Sequence, residues 1–255
     1  KCFGCSLNVE SNRRYIKPSR KRKTSHYQYS KKLCKLRIMK ILELYAGSRS
    51  IGKVAERYDH EVCSVDIEQF GNIDLIIDCE YLTIKDLPFI PDMLWSGTPC
   101  TSYSLAGISH HRKEDTTPTS EFAKKCDRMN VNNLKLIDDI LEINPKMIWY
   151  IENPRAMLRK MPFMKGLNRE TVTYCSYGDT RMKPTDIWSN NIHDMFNLKG
   201  WKPRPICFNG NKKCHHEASP RGSRTGTQGL KNNHERSKMP EELCIEIIES
   251  TQKLC

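Results

Sequence analysis

Between Ile38 and Glu152 the chain repeats a pattern that few folds accommodate. Short apolar runs (IMKILELY, EVCSVDI, DLIID, DMLWS and MIWYIE) alternate with turn or helical stretches. Helical spacing appears at SIGKVAERY and again from about Glu121 to Ile143, where Leu136, Ile137, Ile140 and Leu141 share one face. Runs that are apolar on both sides suit strands covered by helices on both faces, the parallel α/β arrangement. ETVTYCSYG and DIWSN read as later strands. Ligands of such sheets bind at the carboxyl ends of the strands, and the chemically notable residues fall there.

The first run passes through Glu43-Leu44-Tyr45-Ala46 into Gly47 and then a helix. A glycine turn lets the main chain approach a nucleoside closely. Asp66 closes the second strand, at the spacing where an acid meets ribose hydroxyls. Asp78 closes the third, placed to accept from an adenine amino group. Either acid alone also serves as a turn cap, but the ordered series describes an adenosyl pocket with little phosphate character. Gly47–Lys53, GSRSIGK, imitates the phosphate loop G-x-x-x-x-G-K-[ST], yet Val54 has no hydroxyl for magnesium, which argues against an ATPase.

Two further loops complete the set. The fourth strand ends at Gly97-Thr98-Pro99-Cys100 and the fifth at Ile151-Glu152-Asn153-Pro154. In a parallel sheet both open on one edge, so a thiol and a carboxyl can face one bound base. A cysteine behind a proline, in a loop of small polar residues, reads as a nucleophile rather than a core filler.

Taken in order, ELYAGSRSIG, SVDIE, IIDC, GTPCTSYS, YIENPR and YGDTRMKPTDIWSN resemble the DNA cytosine-5 methyltransferases, most of all the short phage- and virus-type members. The resemblance covers about Ile38–Asn190. It implies a Rossmann-like S-adenosylmethionine-dependent methyltransferase fold: a mostly parallel twisted sheet with flanking helices, plus a small loop-rich DNA-recognition region. It implies that Cys100 attacks C6 of a flipped-out cytosine, that Glu152 holds or protonates N3 and that Arg181 helps fix the ring. The methyl donor falls to Tyr45, Ala46, Gly47, Ser50, Asp66, Ile67, Asp78 and Pro99. Substrate contacts fall to Ser102, Ser104, Asn153, Pro154 and Lys183, although Ser102 and Ser104 fit a plain loop role equally well. Nearby basic residues are expected to favour the Cys100 thiolate. The departures are also specific. Thr98 replaces the first proline before the cysteine, Ser48 and Arg49 stand where the donor loop has a second glycine, and Lys183 replaces the second of two arginines. Arg49 is expected either to crowd the donor or to reach its carboxylate. Arg236 and Pro240 resemble a remnant of the element that organises target recognition, and the last family element near the C-terminus has no clear copy here.

The charge supports a polyanionic partner. Lys and Arg exceed Asp and Glu by 42 to 30, giving a net charge of +12, and the excess gathers in Arg13–Lys40 and Lys199–Lys238. The expected partner is double-stranded DNA, met by a monomer. A structured RNA such as tRNA fits the same charge and the same Cys100 and Glu152, and a nucleic-acid-binding module with a decayed enzyme fold fits the departures. The domains expected are 1–36, a basic segment with a candidate zinc ribbon; 37–190, the catalytic domain; 191–235, a short recognition region; and 236–255, a helix packing back on the catalytic domain. No signal peptide or membrane span is visible, and since the sequence opens on Lys1 rather than Met, a few residues are expected to precede it. Cytoplasmic location is expected, or nuclear for a eukaryote or its virus, with no secretion.

The 12 cysteines are then free thiols or metal ligands. Cys2, Cys5, His26 and Cys34 make a candidate four-ligand structural zinc site. Cys207-x6-Cys214-His215-His216 is a weaker one, since a basic nucleic-acid-facing loop explains it as well. Cys63, Cys79, Cys126, Cys175 and Cys244 lie in or beside elements and read as small core fillers.

Overall fold

A computed structural model describes residues 37–218 and 233–254. The expected zinc ribbon, with Cys2, Cys5, His26 and Cys34, lies outside the described residues. The strands are β1 (Lys40–Leu44), β2 (Glu61–Asp66), β3 (Leu75–Ile76), β4 (Met93–Gly97), β5 (Ile148–Pro154), β6 (Arg169–Thr173) and β7 (Pro184–Ser189). The helices are α1 (Ser50–Arg57), α2 (Ile108–His111), α3 (Glu121–Ile143), α4 (Asn233–Ser237) and α5 (Glu241–Gln252). One seven-stranded sheet has the order β3-β2-β1-β4-β5-β7-β6. β3, β2, β1, β4 and β5 pair in parallel, and β7 runs antiparallel to both β5 and β6. The chain order reverses between β1 and β4, so the crevice between their carboxyl ends is the topological switch point of the sheet.

Strand alternation sorts the core into two layers. Leu42, Leu44, Val65, Leu94 and Ile151 point to one face and pack with Leu136, Ile137 and Ile140 of α3. Ile41, Met93, Trp95 and Tyr150 point to the other and meet Ile51 and Val54 of α1 and Leu243, Ile247 and Ile248 of α5. Each fully buried side chain of this size contributes on the order of 1.5–3 kcal/mol. α3 starts where Ser120 Oγ accepts the Ala123 N–H at 3.1 Å, satisfying one of the orphan donors of its first turn. Glu241 and Glu242 open α5, where negative charge suits the helix dipole.

Two expected strands are shorter than their patterns. DLIID yields only Leu75–Ile76, an edge pair whose Ile76 is exposed. ETVTYCSYG pairs only through Thr173; Tyr174–Tyr177 then winds into a 3₁₀ turn that ends at the left-handed Gly178. Tyr174, Cys175 and Tyr177 are all buried, so burial rather than strand pairing accounts for the apolar pattern there.

Glu43 belongs to β1 but faces α1. Its carboxylate accepts the N–H groups of Ile51 and Gly52, both at 3.0 Å, at the start of that helix. Gly52 is required here, since a Cβ would come within 2.6 Å of the Glu43 oxygen. Burial pushes the Glu43 carboxyl up to about 7 despite these backbone bonds and nearby Arg49. The folded chain therefore holds this proton more tightly than the unfolded one. The associated stability is present in full below pH 4.5, the ordinary value, and is lost as pH climbs through about 7, amounting to about 3 kcal/mol. Denaturant unfolding of the wild type and of Glu43→Gln across this window should show the two stabilities diverging with pH; parallel curves would rule the assignment out.

Candidate active site

The switch point carries a strained turn. Tyr45, Gly47 and Arg49 all have left-handed backbone, with φ near 54°, 48° and 54°. For the two non-glycine residues this costs on the order of 1–3 kcal/mol each, and such strain persists only where surrounding bonds impose it. They are visible here: Ala46 N–H to Val65 O at 3.1 Å, Arg49 N–H to Ala46 O at 2.7 Å, and Gly47 N–H to the Asp66 carboxylate at 2.9 Å. Asp66 also accepts the Glu68 N–H at 3.1 Å, and the neighbouring Ile67 side chain is exposed at the same edge. Ser50 Oγ accepts the Met239 N–H at 3.2 Å, tying the turn to the segment before α5.

A cavity of about 490 Å³ opens beside this turn, lined by Gly47, Ser48, Arg49, Lys53 and residues 69–72. That volume lies in the range of small-molecule sites, roughly 300–1,000 Å³. A larger hollow of about 800 Å³, lined by Arg37, Asp92, Lys146 and Ile148 among others, lies at the amino ends of β4 and β5, away from the chemistry. Two expectations change at this turn. Arg49 lines the cavity, but its guanidinium is engaged elsewhere: the side chain is buried, bonded to Ser64 Oγ at 2.7 Å and paired with Glu56. Asp78 is engaged by Lys125 of α3 at 2.6 Å and by the Glu80 N–H at 3.0 Å, contacts that hold its carboxyl below the usual range against a partial desolvation.

Cys100 follows β4, and Glu152 is paired in register with Gly97 at the end of β5. Glu152 is buried; Tyr174 Oη donates to its Oε1 at 3.2 Å and Lys183 Nζ stands 4.0 Å away. Burial pushes the Glu152 carboxyl upward, opposed by Lys183 and by the Tyr174 bond. Lys183 sits over the Tyr174 ring, 4.6 Å from its centroid, and donates to Arg236 O at 3.3 Å. Burial also pushes the Cys100 thiol upward, with Lys183 and Arg236 pulling it back and Glu152 adding to the rise. The basic neighbours act in the direction expected, but desolvation outweighs them, so the net effect on the thiol is upward.

Asn153 ties the two loops together, its amide donating to Thr98 O at 3.0 Å and to Thr98 Oγ1 at 3.1 Å, while its buried Oδ1 has no partner. Pro154 pairs with Thr185 on β7, and Pro99 is half-buried beside the thiol. Arg181 does not reach toward Glu152. Its guanidinium clamps Asp179 and donates to Arg236 O and Lys238 O, both at 3.0 Å. Lys183 thus takes the position facing the carboxyl, and Arg181 ties the loop to the segment between α4 and α5.

Ser102 is fully buried, and Arg112 donates to its carbonyl at 3.0 Å and its hydroxyl at 3.3 Å, contacts that fit the plain loop role. Ser104 is half-buried and its Oγ accepts the Gly107 N–H at 3.3 Å within the loop. The lock behind Ser102 had no sequence signal, because its parts come from separate elements. Arg112, its side chain fully enclosed, pairs with Asp127 of α3 at 2.6 Å and stacks over Tyr103, whose hydroxyl donates to the same carboxylate at 2.6 Å. Asp127→Ala is expected to cost about 3–5 kcal/mol, since it strands a buried guanidinium. A shift in unfolding midpoint below 1 kcal/mol would show that water or a neighbour replaces the carboxylate.

The fold and site define an open α/β sheet with a cavity beside the turn after β1 and, at the neighbouring strand ends, the half-buried thiol of Cys100 and the buried carboxyl of Glu152. No protein-family model and no curated protein sequence matches the chain. Among solved structures it resembles the Dnmt2 methyltransferase of S. pombe, with a TM-score of 0.43 and 13% identity over 67% of this chain and 58% of that one. It resembles a triple mutant of Spodoptera frugiperda DNMT2 with a TM-score of 0.39 and 15% identity over 62% and 52%. For the PH0226 protein of Pyrococcus horikoshii OT3 the TM-score is 0.29, with 15% identity over 53% and 57%. The chain spans between half and three-fifths of the length of these proteins, and likeness at this level assigns no activity.

Proposed function

We propose that the protein transfers a methyl group from S-adenosylmethionine to C5 of cytosine in DNA. The observation that carries the reading is that Cys100 and the buried Glu152 stand at the ends of adjacent parallel strands, with Lys183 near both and burial raising the Glu152 carboxyl. The donor fits the turn: a left-handed Gly47 crowded by no side chain, an acid at the end of β2 and a cavity of about 490 Å³ beside them. Tyr45, Ala46, Gly47 and Asp66 would hold it, with Asp78 reaching an adenine only by exchanging Lys125. When bound, the donor supplies an electrophilic methyl group.

Cytosine C5 is a poor nucleophile, and covalent attack changes that. Cys100 gives up its proton to solvent, and Sγ bonds to C6 as the C5–C6 double bond opens. The electron pair of the C5–C6 bond moves into the ring, and Glu152 gives its proton to N3, so the carboxyl takes the charge that the ring sheds. Lys183 then faces a carboxylate rather than a neutral acid and stabilises it. C5 would take the methyl group, the donor leaving as its neutral thioether; a solvent base would then remove the C5 proton, the pair of that bond re-forming C5=C6 and expelling Sγ as a thiolate, and N3 would return its proton to Glu152. A base inside a duplex cannot reach this crevice, so the cytosine leaves the stack first.

The test is a trap. The protein is mixed with S-adenosylmethionine and DNA carrying 5-fluorocytosine, and a denaturant-stable adduct is sought by mass. Fluorine cannot leave C5 as a proton does, so the adduct should freeze on the Cys100 peptide. An adduct with 5-fluorocytosine RNA alone would move the substrate to RNA, and no adduct with either, with donor binding present, would leave a binding module.

A further inference from the structure

Cys175, Cys207, Cys214 and His216 bring three sulfur atoms and one ring nitrogen to within 4.8 Å of one another. Cys175 comes from the 3₁₀ turn after β6; the other three come from the loop beyond Trp201. This corrects the reading of Cys175 as a core filler, and it drops His215 from the set. The His215 ring donates instead to Asp179 O at 3.0 Å, while His216 Nδ1 lies 3.6 Å from Cys207 Sγ. All three cysteines are free thiols.

Apolar packing does little to hold the loop around them. Ile206 and Phe208 are exposed at 57% and 65%, so the segment contributes no apolar core of its own. Its backbone is arranged around the sulfurs: Cys207 N–H donates to Thr173 Oγ1 at 2.8 Å, the chain reverses at the left-handed Gly210, and the Asn211 amide donates to Cys207 Sγ at 3.3 Å. Thiols are weak hydrogen-bond partners, so three of them gathered in one place stabilise a loop poorly by themselves.

We propose that Cys175, Cys207, Cys214 and His216 bind one structural Zn²⁺. Four ligands at zinc–sulfur and zinc–nitrogen distances of about 2.3 and 2.0 Å sit roughly 3.5–3.8 Å from one another in a tetrahedron. The present spread closes to that with side-chain rotation and small backbone shifts. Three thiolates and an imidazole select zinc over magnesium or calcium, which prefer oxygen. Four protein ligands leave no open position, so the ion staples rather than catalyses. It joins the loop to the turn that begins with Tyr174, the residue bonded to Glu152. The same loop is also fastened to the Asp179–Lys183 segment, through His215 and through the Glu217 N–H to Thr180 O at 2.8 Å. The site stands whether or not the methyl-transfer reading does.

Zinc content of the full chain, measured by elemental analysis after gel filtration, tests it against two double variants. C207S/C214S is expected to lose one equivalent of zinc relative to the parent. C2S/C5S, in the N-terminal set, is expected to keep that equivalent, which separates the two clusters. Because C207S/C214S is prone to misfold, thiol labelling of the wild type gives an independent answer. With zinc loaded, Cys207 and Cys214 should alkylate slowly, and roughly tenfold faster once a chelator removes the ion. Unchanged zinc in a folded C207S/C214S, or labelling indifferent to the chelator, overturns the proposal.

Discussion

Cys100→Ala is expected to abolish methyl transfer, by roughly 10⁴-fold or more, and to remove the 5-fluorocytosine adduct altogether. That is at least about 5.5 kcal/mol of transition-state stabilisation, a loss no misplacement of a loop residue would mimic without unfolding the site. The fold should survive. The thiol makes no hydrogen bond that its loop depends on: the turn after Cys100 is held by Tyr103 and Ser104 N–H bonds to the Cys100 carbonyl, at 3.0 and 2.8 Å, and by the Arg112–Asp127 lock. Thermal unfolding within about 1 kcal/mol of wild type, with DNA binding retained, is the control. A variant that still turns over would remove covalent attack from the mechanism.

Glu152→Gln should cost about 10²–10⁴-fold in kcat, because glutamine keeps a hydrogen bond to N3 but has no proton to give. The pH profile carries the sharper prediction. Burial raises the Glu152 carboxyl, so the protonated, active form persists above 4.5, the ordinary glutamate value. Burial raises the Cys100 thiol as well, so attack grows as pH rises. The wild-type profile should therefore climb with Cys100 ionisation and fall with loss of the Glu152 proton. In Glu152→Gln the falling limb should vanish while the climb remains. A falling limb that survives the substitution would assign it to another group.

Much of the site was legible in the residues. The order of Gly47, Asp66, Asp78, Cys100 and Glu152 along the chain follows from strand endings, and strand endings show in apolar runs and turns. α3 follows the expected Glu121–Ile143 span because its periodicity and its Ser120 cap are local signals. Arg181 and Lys183 could not be told apart that way. They lie two residues apart, and which one faces Glu152 depends on Asp179, Tyr174 and the carbonyls of Arg236 and Lys238.

The sequence by itself determined the alternation of strands and helices, and with it the edge of the sheet at which the thiol, the carboxyl and the glycine turn gather. Those follow from periodicity and turn chemistry within a few residues. Only the tertiary structure decided that Arg49 turns inward, that Ser102 is sealed behind Arg112, that Cys175 joins a distant cysteine–histidine loop, and that burial raises the Cys100 thiol against its basic neighbours. Each depends on groups far apart in the chain being packed out of water together, and burial, which sets the strength of a charge and the choice of its partner, has no local signature.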